Sequence, residues 1–221
     1  MRKKLMLLIG SLLTTAVLFV NTSWAGGGVR FEITVTNLTP GQPFAPILAA
    51  THQPGIEFFE EGAAPSNNLA WLAEAGNGQP MADYLASLSG VRDTEISTGG
   101  LTMPGHSASV VVWARSPSDH VSVAAMLGAT NDAFFAIKDL PLPNGRKAAT
   151  YWAPAWDAGS ETNDELASTV AGLGGEGYSP EDSGEGFVHI HSGIHGIGDA
   201  DPAVLDWRNP VAKIVIERLG N

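Results

Sequence analysis

Four carboxylates crowd into nine residues of this chain. Asp157, Glu161, Asp164 and Glu165 lie in the run Trp156-Asp157-Ala158-Gly159-Ser160-Glu161-Thr162-Asn163-Asp164-Glu165. Asp157 and Glu161 stand four apart, and Gly159 between them permits a tight backbone turn, so both side chains can point at one centre. Hard oxygen ligands in that arrangement suit calcium better than zinc or copper. The same residues also read as a solvated acidic loop on an acidic protein.

A second run with chemical promise is His189-Ile190-His191-Ser192-Gly193-Ile194-His195-Gly196. Residues two apart on a strand face the same side, and His195 can return after the glycine turn, so three imidazoles can gather around zinc or copper. Asp199 and Asp201 would then serve as supporting acids. This reading makes the chain a periplasmic zinc- or copper-binding protein, a carrier or a hydrolase. The plainer reading is a polar strand end whose histidines hydrogen-bond carbonyls or acids. Other chemistry finds little support. There is no cysteine, no serine at a strand-to-helix elbow, no glycine-rich phosphate loop followed by lysine, and no EF-hand spacing.

Around these runs, Arg2, Lys3 and Lys4 precede an apolar stretch over 5–20, and Ser23-Trp24-Ala25 supplies small residues where a signal peptidase reads. Residues 1–25 are expected to be a secretory signal, and 26–221 a single domain that is periplasmic or secreted. No later stretch approaches the roughly 20 apolar residues that a bilayer demands, so no transmembrane segment is expected in the exported chain. The whole chain has a net charge of −11, and residues 1–25 hold three of its 12 basic residues and none of its 23 acidic ones. The exported part is therefore strongly acidic, which disfavours nucleic acid and attracts cations.

The elements that must position these residues are mostly strands. Residues 31–36 alternate apolar with polar until Asn37-Leu38-Thr39-Pro40-Gly41 turns the chain, and 43–52, broken by proline, reads as an irregular edge strand. Ser66 caps a helix over Asn67–Ala75 that Gly76 ends, and a shorter helix follows over 80–88. Strands are expected at 107–114, 120–127, 134–137, 149–152, 186–191 and 210–219, with 171–186 as a long mobile loop. The sum is an all-β antiparallel sandwich with one or two short helices inserted after the first strands. Trp71, Trp113, Trp152 and Trp156 read as core or sandwich-end packing.

Several segments together resemble the spondin domain. They are the opening strand with Pro46-Ile47-Leu48-Ala49-Ala50-Thr51-His52 behind it, Leu72-Ala73-Glu74-Ala75-Gly76, and Met126-Leu127-Gly128-Ala129-Thr130-Asn131-Asp132. Trp156-Asp157-Ala158-Gly159-Ser160-Glu161 and Trp207-Arg208-Asn209-Pro210-Val211-Ala212 complete the set. The resemblance covers nearly all of 26–221 and implies a C2-like β-sandwich with one calcium ion held by loops at its end. It implies Asp132, Asp157 and Glu161 as the ligands, Glu161 standing where the family has aspartate. It also implies an adhesion or binding module without catalytic activity, whose partner is an extracellular or periplasmic protein or glycan. Three carboxylates from two loops are costly to gather unless a divalent cation neutralises them. Asp164 and Glu165 are spare candidates, expected to face solvent.

Overall fold

A computed structural model describes residues 28–181 and 184–220. The segment read as a signal lies outside these residues. Along β1 (Val29–Asn37) the period-two pattern puts Phe31, Ile33 and Val35 on one fully buried face. β1 pairs with β4 (Ser107–Ala114) on one side and β10 (Ala212–Arg218) on the other, and β7 (Ala149–Ala153) closes that four-stranded sheet in the order β4-β1-β10-β7. The second sheet has six strands in the order β3 (Val91–Ile96), β2 (Leu48–His52), β5 (His120–Met126), β6 (Ala133–Pro141), β8 (Ala155–Asp157) and β9 (His189–Ile190). All of these pairings are antiparallel, so the chain is an all-β sandwich with few short helices.

Two apolar clusters hold the layers together. One lies between the sheets and joins Phe31, Ile33, Val112, Val123, Phe135 and Ile214. The other lies between the six-stranded sheet and the helices α1 (Asn67–Ala75) and α2 (Gln79–Ala86), and joins Leu48, Leu69, Leu72, Met81, Leu85 and Phe134. Phe134 and Phe135 are neighbours that serve opposite clusters, as alternation along a strand requires. Helix α1 starts where Ser66 Oγ accepts the Leu69 N–H at 3.2 Å and ends at Gly76, whose φ of 62° suits glycine. No helix among the described residues is long and apolar enough to cross a membrane.

The structure corrects the sequence expectations at four places. Residues 48–52 form a central strand, not an irregular edge: the prolines at 43 and 46 precede it, and β2 pairs with β3 and β5 on its two sides. β3, with its Arg92, Asp93 and Glu95, carries the charge typical of a sheet edge and gave no apolar signal. Trp113 and Trp152 are not core residues, being 43% and 57% exposed on the outward face of the four-stranded sheet, where Arg30 sits 5.5 Å from the Trp113 ring. The stretch 171–186 is tied to the body where it is described: Tyr178 stacks on Trp71 with ring centres 4.3 Å apart, and a Cβ on Gly172 would strike the Gly128 carbonyl.

Candidate metal centre

The β5–β6 turn is short and self-bonded. Thr130 Oγ1 donates to the Leu127 carbonyl at 2.6 Å and accepts the Ala133 N–H at 3.1 Å, which delivers Asp132 to the start of β6. Register then does the assembly. Ala133 lies opposite Asp157, and Asp157 opposite His189, so one row across β6, β8 and β9 brings Asp132, Asp157 and His189 to the same end of the sheet. Gly159 sets the chain's path beyond Asp157. Its φ is 66°, and a Cβ there would come within 2.3 Å of the Phe187 carbonyl oxygen, so only glycine allows the segment around Glu185 to lie against this loop.

Asp132, Asp157 and Glu161 are all buried at this end. Asp132 Oδ2 accepts the backbone N–H groups of Ser160 at 2.8 Å and Glu161 at 3.1 Å, whereas Oδ1, equally buried, has no hydrogen-bond partner among the described residues. Burial, and then the charge of Asp157, hold the Asp132 carboxyl well above the usual aspartate range. Asp157 is raised as well, mainly by burial, although Gly159 N–H donates to its Oδ1 and the Asn163 amide to its Oδ2, each at 2.8 Å. Asn163 donates also to Glu185 Oε1 at 3.1 Å, so one amide spans two carboxylates.

The histidine run arrives at the same aspartate. His189 Nε2 is 3.7 Å from Asp157 Oδ1, and His191 Nε2 is 3.6 Å from Asp157 Oδ2. His191 is fully engaged by the protein: its Nδ1 accepts the Gly193 N–H at 3.0 Å, so Nε2 carries the hydrogen and donates to Asn163 Oδ1 at 3.2 Å. Burial first, then the neighbouring His189 and His195, push its pKa down to about 4. It is a neutral prop for Asn163 with no lone pair left for a metal. His195 is exposed, and its backbone N–H donates to Glu165 Oε1 at 2.6 Å. Among the described residues, the group whose ligand atoms all lie within 4.8 Å of one another is Asp157, Glu185 and His189, and these can hold a metal ion. His191 and His195 are not part of it, nor are Asp132 and Glu161.

Glu185 was invisible in the sequence, hidden in a glycine-rich stretch; the only available signal was an acid four residues before a histidine. Glu165 departs from expectation in the other direction. It is buried rather than solvated, and its carboxylate accepts three successive backbone N–H groups, from His195, Gly196 and Ile197, at 2.6, 2.7 and 3.0 Å. Asp164 Oδ1 accepts from Asn131, Leu166 and Thr169, which fixes the acidic loop to the β5–β6 turn. Trp156 packs on Phe59 with ring centres 5.3 Å apart, which makes it a wall of the helix-side core. No family model matches the sequence, and no curated protein matches it at a significant level.

Proposed function

We propose that the protein is an exported, calcium-stabilised binding module of the spondin kind that performs no chemistry, with Asp132, Asp157 and Glu161 as calcium ligands. The observation that carries this reading is the fully buried Asp132 Oδ1, without a hydrogen-bond partner among the described residues, beside the raised Asp157. Two like charges in a poorly solvated place are destabilising until a cation joins them. Main-chain carbonyls and water would bring such an ion to the six to eight oxygens that calcium prefers. Calcium would then order the loops at this end of the sandwich, which are the surface offered to an extracellular or periplasmic protein or glycan.

Thermal melting in excess calcium and in chelator tests the reading. At a concentration about 100 times the dissociation constant, calcium should add about 2.7 kcal/mol, or about 5–10 °C for a domain of this size. Asp157→Ala should lose stability chiefly in calcium. An unmoved midpoint for the unaltered protein removes the calcium assignment, and an equal loss in both conditions makes Asp157 purely structural.

A further inference from the structure

His189 differs from its neighbour His191 in one respect that decides what it can bind. Its Nδ1 lies 3.0 Å from the Ile190 carbonyl, which only accepts, so Nδ1 carries a hydrogen and Nε2 is the ring nitrogen available to a metal on the Asp157 side. A carbonyl behind the ring is the support that metal-bound histidines commonly use. Nε2 and Asp157 Oδ1 are 3.7 Å apart, too far for a hydrogen bond. Two ligands on one tetrahedral zinc, with bonds of about 2.0–2.2 Å, stand about 3.4 Å apart, so a small closure would seat an ion between them. Glu185 offers the third ligand atom. Asn163 holds one oxygen of Asp157 and one of Glu185, and His191 holds Asn163; the other Asp157 oxygen, Oδ1, accepts the Gly159 N–H with one lone pair and keeps a second for an ion. Among the described residues no lysine or arginine forms an ion pair with Asp132, Asp157 or Glu185.

We infer that Asp157, Glu185 and His189 form a site for a zinc-class divalent cation, separate from the calcium ligands and sharing only Asp157 with them. The imidazole selects it: neutral nitrogen suits zinc, copper or nickel and is a poor ligand for calcium. Glu185 is exposed and His189 partly so, which leaves the fourth position of the ion open to water or to a donor from outside. The site does not depend on the calcium reading.

The test is calorimetric titration of zinc chloride into the metal-free protein near pH 7.5, with and without millimolar calcium, and into His189→Ala, Glu185→Gln and His195→Ala. One zinc per chain is expected, weakened at least tenfold by His189→Ala and by Glu185→Gln and unchanged by His195→Ala. Equal binding by the unaltered protein and His189→Ala, or no binding at all, overturns the site and leaves His189 as a metal-free neighbour of Asp157. An equal loss in His195→Ala overturns it in favour of the three-histidine cluster. Glu185→Gln alters an exposed side chain, so its result stands even if His189→Ala folds poorly. The calcium-dependent melting shift of Asp132→Asn separates the two sites, since its loss with zinc binding intact concerns calcium alone.

Discussion

Glu165 shows how little a residue's type reveals about its role. Its carboxylate ties the acidic loop to the histidine segment through three N–H groups, while its own N–H goes to Asn131 Oδ1 at 3.1 Å and its φ is 59°. Removing it leaves three backbone donors in a partly buried place, each worth about 1–3 kcal/mol in lost bonding or desolvation. Glu165→Ala should therefore cost about 3 kcal/mol in urea unfolding, and Glu165→Gln, which keeps one acceptor, about half as much. A cost below about 1 kcal/mol for the alanine variant would mean that water replaces the carboxylate. At this scale the sequence was readable where the side chain itself carries the chemistry, as in Asp157. It placed Glu165 in solvent and gave no sign of Asn163 or Glu185, because Glu165 bonds the distant 195–197 segment and Asn163 meets Glu185 across 22 residues, pairings that the fold chooses.

The elements that gather the site are very short: β8 has three residues and β9 two. Their pairing depends on the turn at Gly159, where a side chain would have a backbone conformation that non-glycine residues rarely adopt and no room. Gly159→Ala should lower stability by about 2 kcal/mol or more, and it should weaken divalent-cation binding, because the Glu185 segment can no longer close on the loop. Gly174→Ala provides the comparison. Its φ is 99° and nothing lies within 4 Å of the added carbon, so only the backbone term of about 1 kcal/mol should remain, with cation binding unchanged. Equal effects of the two substitutions would show that packing against Phe187 contributes nothing. Long strands with one face in water, such as β1, were legible because solvent preserves the alternation. Strand β2 lost that signal because helices cover one of its faces and the other sheet covers the other, so all five of its residues are buried.

Across the whole molecule, burial of titratable groups is uneven, and this sets the response to acid. At the end of the sheet remote from the carboxylates, His52 is fully buried on β2, with Nδ1 donating to the Gln53 carbonyl at 2.8 Å and Nε2 accepting from Ser122 Oγ at 2.9 Å. Ser122 Oγ in turn accepts the Asp139 N–H, so the neutral ring satisfies every partner it has. Burial lowers its pKa, against the opposing pull of the Gln53 carbonyl, Asp139 and Asp119 and alongside the push of His120. A histidine whose folded pKa is depressed contributes stability that is complete above the unfolded value of about 6.5 and is lost as pH falls toward the folded value. Subtracting the stability profile of His52→Gln from that of the unaltered protein isolates this group from His191 and the aspartates. The difference should be flat above about pH 7 and should fall steadily below about 6.5. A flat difference down to pH 4 would mean that Asp139 accepts the proton's charge without loss, and a rise on acidification would mean that the ion pair at 3.9 Å outweighs burial.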